Sequence, residues 1–174
     1  MIIGVIGNIN MKILGLDAST RITGYGLVDE SGKLLDHGVI NLYNDKEVIE
    51  DRIKKMMISI HDLIKRFSPD VIYVEEMWSK LNVQVTKQIS YVIGATMGFS
   101  AIQGCNIHLV LPSEWRKVVG LSQSKKKREE LKQEAIEWVK TKYEIDVGDD
   151  EAEGICIAYA GHLLLLNETV VLFE

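Results

Sequence analysis

The chain is poor in the residues that build disulfide frameworks and zinc sites. It contains only two cysteines, Cys105 and Cys156, and both lie in apolar surroundings. This excludes a disulfide scaffold and predicts two buried, reduced thiols. No Cys/His spacing indicates zinc. The chain also has only two prolines, and we find no repeat, low-complexity segment or linker in it.

Hydrophobic runs long enough to cross a bilayer are also missing. The first ten residues are apolar, but they are too few for a span and lack the basic start of a signal peptide. Met11-Lys12 offers a second possible start. We therefore expect residues 1–11 to be an N-terminal extension or the product of an alternative start, and we expect a cytoplasmic protein without membrane contact.

The composition is that of a folded domain. Of 174 residues, 47% are apolar and 26% are charged, which suits one domain with a sizeable core. We assign residues 12–168 to this domain and 169–174 to a short apolar tail, either an edge strand or a partner contact.

The net charge of −5 argues at first against a nucleic-acid partner, but the charge is uneven. Lys125-Lys126-Lys127-Arg128 is a basic block, with Arg116-Lys117 shortly before it. Such a run is either a solvated, flexible segment or a contact for DNA phosphates.

Hydrophobic periodicity predicts strands first and alternating helices and strands afterwards. Three strands form an antiparallel meander, and two later apolar strands, each preceded by a helix, add parallel pairs. This order predicts an α/β fold, a mixed sheet with helices on both faces. The predicted strands are 12–17, 23–29, 33–41, 71–75 and 107–111, and the predicted helices are 47–67, 82–103, 125–142 and 150–166, with a further helix start near Pro112.

Carboxylates stand where the buried elements end or begin. Asp17 and Glu75 each end an apolar strand, and Asp150 and Glu153 lie three apart at the start of the last helix. Each has a plain structural alternative: a turn aspartate, a surface carboxylate, or acids that favour a helix N-terminus. Converging carboxylates suit hard cations such as Mg²⁺ or Mn²⁺, and two such ions about 4 Å apart are a common device for cutting phosphodiester bonds.

Neighbouring acids complicate two of these assignments. Glu75 and Glu76 face opposite ways on a strand, and we choose Glu75 because it continues the alternation of the preceding residues. Asp149 and Glu151 flank Asp150. We choose Asp150 and Glu153 as the site pair because Ala152 and the positions from Ile155 onward belong to the buried face of the helix.

Three segments together resemble the RuvC family of Holliday-junction resolvases. They are Ile13 to Gly26 with its Arg-x-Thr-Gly-Tyr-Gly ending, Val74-Glu75-Glu76-Met77-Trp78, and Asp150-Glu151-Ala152-Glu153. The resemblance runs from about Lys12 to Leu166, and within the family the sequence resembles the phage-borne branches. It implies a ribonuclease-H-like fold and a homodimer in the cytoplasm (of a bacterial host if the protein is phage-encoded). It also implies symmetric cutting of four-way DNA junctions with Mg²⁺ or Mn²⁺, which leaves 5′-phosphate ends.

The resemblance also implies roles for particular residues. Asp17, Glu75, Asp150 and Glu153 match the four metal-binding acids, although bacterial members usually have Asp at the position of Glu153. The matched DNA contacts are Trp78, near the opened junction centre; Lys126 or Lys125, on the cleaved strand; and Arg116 or Lys117, near a second basic position. Lys126 would neutralise charge on the scissile phosphate, and Lys127 and Arg128 complete the basic DNA-binding set.

Three other functions compete with junction cleavage. A sugar-kinase or actin-like ATPase would need a second phosphate loop and an adenosine-binding Gly motif, and the sequence has neither. A non-cleaving protein that binds branched DNA conflicts with the four acids, which would repel phosphate without metal. A broader nuclease acting on forks or flaps fits the same residues.

Overall fold

The computed structural model describes residues 11–43, 47–76, 82–123 and 126–171. Five strands form one mixed sheet in the order β3-β2-β1-β4-β5. Strands β1 to β3 pair antiparallel, whereas β1–β4 and β4–β5 pair parallel. The strands are β1 Lys12–Asp17, β2 Ile22–Asp29, β3 Leu34–Asn41, β4 Val71–Glu75 and β5 Asn106–Val110. The predicted mixed α/β sheet is confirmed.

Helices cover both faces of this sheet and divide the core into two parts. One part joins alternate residues of β1 and β4 to α1 and α2, and the other joins the intervening residues to α3, α4 and α5. Alternation follows from the strand period of two, which sends successive side chains to opposite faces. The helices are α1 Ile49–Phe67, α2 Val83–Gln103, α3 Pro112–Val118, α4 Arg128–Tyr143 and α5 Asp149–Val171.

Two predicted element boundaries are wrong by more than a residue or two. Helix α4 begins at Arg128 and not at residue 125, because Lys127 has extended backbone angles and its N–H donates to Glu130 at 2.8 Å. Lys126 and Lys127 therefore precede the helix, and Arg128 is its first residue. Helix α5 runs on to Val171, so residues 169–171 are helical and not an edge strand.

Two other expectations concern burial and membranes. Cys105 and Cys156 are both buried and unpaired, as predicted. Among the residues that the structure describes, no helix combines the length and the hydrophobicity that a bilayer span requires.

Candidate metal centre

Asp17 and Glu75 lie at neighbouring strand ends on one face of the sheet. In the parallel pairing of β1 with β4, Leu16 is opposite Val74, and each strand continues for one more residue. These last residues are Asp17 and Glu75. They share the sheet face of Gly15, against which α5 packs.

The N-terminus of α5 is held over this edge by backbone packing. Gly24 of β2 pairs with Asp17, and a Cβ added at Gly24 would lie 1.7 Å from the carbonyl oxygen of Asp150. A Cβ at Gly154 would in turn lie 2.5 Å from the backbone nitrogen of Tyr25. The helix therefore rests directly on the strand, and the Gly-Tyr-Gly part of the sequence motif sets how close Asp150 comes to Asp17.

Three of the four predicted carboxylates form a tight group. One oxygen from each of Asp17, Asp150 and Glu153 lies within 4.8 Å of the others, and all three side chains are partly buried. Glu75 is outside this tight group but close enough for its charge to raise the pKa of Asp17 and to interact with Glu153. The structure thus places all four predicted acids at one edge of the sheet.

Burial and mutual repulsion raise the pKa of Asp17, Glu75 and Glu153. Burial first, and then the charges of Glu75, Glu153 and Asp150, raise the pKa of Asp17 well above its usual range. Burial raises the pKa of Glu75 to about 7 and also raises the pKa of Glu153. Crowded, desolvated carboxylates of this kind are stabilised by a cation among them. The donor set consists of carboxylate oxygens, which fits a hard divalent ion such as Mg²⁺ or Mn²⁺.

Basic side chains partly balance this negative charge. Nζ of Lys132 lies 2.6 Å from Asp149 and 3.2 Å from Asp150. The charge of Arg128, at the start of α4, lowers the pKa of Glu75 and of Glu153. Sequence reasoning missed Lys132, since nothing local shows that α4 lies against the start of α5.

The acids next to the cluster have other partners. Asp149 bonds to Lys132, and Glu151 lies 2.6 Å from Nδ1 of His37 on β3. Neither belongs to the three-carboxylate group. The group contains Asp150 and Glu153, the two acids chosen from the sequence, and their role as metal ligands stays a prediction.

Trp115 contacts the site although sequence reasoning gave it no role. Its indole Nε1–H donates to Oε2 of Glu75 at 2.7 Å, and the side chain is 1% exposed. A buried indole needs an acceptor for its N–H, so this tryptophan implied a polar partner somewhere in the core. The partner is 40 residues away in sequence, and only the fold identifies it.

The predicted DNA-binding residues fall into three groups. Lys117, Lys126, Lys127 and Arg128 are exposed. Arg116 is buried, with 3% of its surface accessible. Trp78 and Lys125 lie outside the described residues.

The burial of Arg116 argues against the prediction that it contacts DNA. Its guanidinium donates to the backbone oxygens of Ser122 and Leu131, both at 2.7 Å. It also lies 3.4 Å from Glu134 and 3.5 Å from Glu153. These internal partners occupy the donors that a phosphate would need, and they tie the loop after α3 to α4 and to the acidic cluster.

A five-stranded mixed sheet of this order, with helices on both faces, is a ribonuclease-H-like fold, and its acidic cluster sits at the strand ends. The family model for the crossover junction endodeoxyribonuclease RuvC matches residues 13–158. The chain belongs to this family.

Curated relatives and solved structures agree with that membership. The chain is 28% identical over 157 residues to the crossover junction endodeoxyribonuclease RuvC of Alkaliphilus metalliredigens, a match that covers 87% of this chain and 95% of the relative. It is 31% identical over 158 residues to the same-named protein of Gluconacetobacter diazotrophicus, covering 86% and 90% of the two chains.

Two solved structures share the fold. T. thermophilus RuvC in complex with a Holliday junction substrate has a TM-score of 0.75 at 16% identity, over 91% of this chain and 97% of that chain. The yeast mitochondrial Holliday junction resolvase Ydc2 has a TM-score of 0.57 at 15% identity, over 95% and 87%.

Proposed function

We propose that this protein is an endonuclease that cuts four-way (Holliday) DNA junctions by paired symmetric nicks and leaves 5′-phosphate ends. The observation that carries the proposal is the three-carboxylate group of Asp17, Asp150 and Glu153, with Glu75 beside it. All four acids lie within the residues that the family model matches. The names of the relatives, crossover junction endodeoxyribonucleases, supply the reaction.

The proposed cofactor is Mg²⁺, with Mn²⁺ able to replace it. Asp17, Glu75, Asp150 and Glu153 would hold the metal through oxygen atoms, the ligands that both ions accept. Bound divalent ions supply the Lewis acidity that activates water and stabilises the leaving 3′ oxygen in phosphodiester hydrolysis. The protein side chains orient this centre and hold it where burial limits competing water.

Basic residues beside the cluster are the proposed contacts for the DNA backbone. Arg128 is the best placed, because it is exposed and its charge already acts on Glu75 and Glu153. Lys126 is ion-paired with Glu134, and it would have to leave that partner to neutralise the scissile phosphate. Lys117 and Lys127 extend the positive surface. Phosphate contacts of this kind make binding weaker as salt rises.

Trp78 and Lys125 keep their proposed roles from the family resemblance alone. Trp78 would stack near the opened centre of the junction, where an aromatic side chain binds unpaired bases without regard to sequence. Lys125 would add a further contact to the cleaved strand.

The proposed assembly is a homodimer, since two symmetric nicks require two active sites. Helix α2 supports it by presenting large apolar side chains to solvent, and such surfaces favour association. The exposed residues are Val83, Val85, Tyr91, Met97 and Ile102.

A charged substitution on α2 tests the dimer. Tyr91 is 48% exposed, and Tyr91→Glu should convert a dimer into a monomer when mass is measured by light scattering. Val39 on β3 is 46% exposed, so Val39→Glu is a matched control that should leave the mass unchanged. A monomeric wild type, or a dimeric Tyr91→Glu, would contradict this assembly.

The substrate is tested by offering the protein end-labelled four-way junction, fork, flap and duplex DNA of matched sequence. Cuts at symmetric positions in two strands of the junction, without comparable cutting of the other three, support the proposal. Equal cutting of forks and flaps would replace it with a broader branched-DNA nuclease. Tight junction binding without cutting in Mg²⁺ or Mn²⁺ would leave a binding protein.

A further inference from the structure

The hydrogen bond between Trp115 and Glu75 joins the core to the edge of the acidic cluster. The indole is fully buried and packs with α5, and its only N–H points at Oε2 of Glu75 from 2.7 Å. When the Glu75 carboxylate is ionised, as it is when it binds a metal ion, such a bond is charge-assisted and among the stronger hydrogen bonds in proteins.

The chain path explains how the indole reaches this carboxylate. Val110, the last residue of β5, pairs with Glu75, the last residue of β4. Helix α3 begins two residues later at Pro112, which suits the first helical position, so the first turn of α3 brings Trp115 back over the strand end. The indole, on the helix that follows β5, therefore meets the carboxylate at the end of the adjacent strand β4.

Trp115 is itself held in place. The guanidinium carbon of Arg116 lies 4.9 Å from the centre of the Trp115 ring, and Arg116 is fixed by backbone oxygens and two glutamates. One of these is Glu153 of the acidic cluster, at 3.5 Å. Adjacent residues of α3 thus contact two different carboxylates of the centre.

Packing alone does not account for the choice of tryptophan at this position. Phenylalanine fills core space without an N–H that needs a partner, and a backbone oxygen would satisfy an indole as well. Here the acceptor is a carboxylate whose charge interacts with those of Asp17 and Glu153. The bond engages Oε2 and restricts the rotation of a long side chain, and among the described residues no side-chain hydrogen bond or ion pair engages the second oxygen, Oε1.

We propose that Trp115 is a positioning residue for the metal centre: its indole N–H fixes Oε2 of Glu75 so that Oε1 is presented to a divalent ion held by the other acids. The inference rests on the proposed function, which makes Glu75 a metal ligand. Groups that orient metal ligands through hydrogen bonds typically change metal affinity by about 10- to 100-fold when they are removed.

The test compares Trp115→Phe with Trp138→Phe. Trp138 is a half-buried tryptophan of α4 that packs against Tyr143 and Tyr159, so it is a matched control for the loss of an indole. Binding of Mn²⁺ to the DNA-free protein is measured by electron paramagnetic resonance, and junction cutting is measured against Mg²⁺ concentration.

We expect Trp115→Phe to weaken Mn²⁺ binding by about 10-fold or more and to raise the half-saturating Mg²⁺ concentration similarly. Trp138→Phe should match the wild type in both assays. Junction binding measured without a divalent ion should be the same in all three proteins, which separates a defect in metal binding from a defect in the DNA surface.

A third protein separates the N–H from the shape of the ring. Incorporation of 3-benzothienylalanine at position 115 replaces the indole N–H by sulfur and keeps the bicyclic outline. It should reproduce the loss even if Trp115→Phe is poorly folded. Wild-type Mn²⁺ affinity in this protein would overturn the role of Trp115 alone, whereas a wild type that neither binds Mn²⁺ nor cuts any DNA would overturn the metal centre as well.

Discussion

Replacing Gly24 with alanine tests how the fold builds the carboxylate cluster. The new Cβ would stand 1.7 Å from the carbonyl oxygen of Asp150 and 2.3 Å from its carbonyl carbon. Cβ atoms essentially never approach other heavy atoms within 3.0 Å, so α5 and β2 must separate by at least about 1.3 Å, the difference between 3.0 and 1.7 Å. Because Gly24 pairs with Asp17, this movement would displace Asp150 relative to Asp17.

The size of the effect follows from what must move. Overpacking costs about 1–3 kcal/mol when side chains yield, and here the clash is with backbone, so we expect about 3 kcal/mol at least. For a chain of this length that loss lowers Tm by about 6–12 °C. A shift of about 1 Å in a catalytic group costs about 100-fold in rate, so junction cutting should fall by a comparable factor in the folded fraction.

The assay combines thermal unfolding by circular dichroism with junction cutting at a temperature where the variant is folded. Gly148→Ala is the matched control, because Gly148 immediately precedes α5 and a Cβ there meets nothing within 4 Å. It should behave like the wild type to within about 1 kcal/mol. If Gly24→Ala keeps the Tm and the cutting rate of Gly148→Ala, the close approach of α5 to β2 does not set the geometry of the cluster.

Three further outcomes are expected. Burial raises the pKa of Glu75 from 4.5 to about 7, so between these pH values the metal-free folded protein holds a proton that the unfolded chain releases, and its stability should fall as pH rises through this window. Because metal binding requires the ionised carboxylate, Mg²⁺ should raise Tm more at pH 8 than at pH 6 in fluorescence-monitored unfolding. An equal rise at both pH values would argue against a protonated Glu75. Glu153→Asp shortens the side chain by one methylene, so it should lose the 3.5 Å contact with Arg116 and raise the half-saturating Mg²⁺ concentration for cutting by about 10-fold. An unchanged Mg²⁺ titration would show that metal binding does not depend on the length of this side chain. Arg128→Gln should slow single-turnover junction cutting by about 10-fold, which corresponds to about 1.4 kcal/mol in activation free energy. Lys117→Gln, at another exposed position, should slow cutting less. Equal effects would mean that the proximity of Arg128 to the acids does not matter for cutting.

Sequence patterns predicted the sheet well because its strands have clear signals. Strands β1 and β4 are apolar runs that each end in an acid, and the structure ends both strands at those residues. The convergence of Asp17 and Glu75 followed from parallel neighbours, whose carboxyl ends share one edge. The pairing of Asp150 with Glu153 followed from helical spacing.

Features that depend on distant contacts were not predictable in the same way. A charged run such as Lys125 to Arg128 has no apolar period, so the start of α4 was placed too early. The burial of Arg116 depends on backbone oxygens at Ser122 and Leu131, which the loop after α3 delivers. The bond from Trp115 to Glu75 joins residues that periodicity cannot relate.

The central claim is that the clustered acids form a metal centre that cuts DNA junctions. The most direct measurement is the single-turnover cutting rate of a four-way junction by the wild type and by Asp17→Asn, with Mg²⁺ titrated upward from none. The account predicts no cutting without a divalent ion, a rate for the wild type that rises to saturation, and loss of cutting in Asp17→Asn, with junction binding intact. Cutting by the wild type in the presence of a chelator, or a wild-type rate in Asp17→Asn, would contradict it.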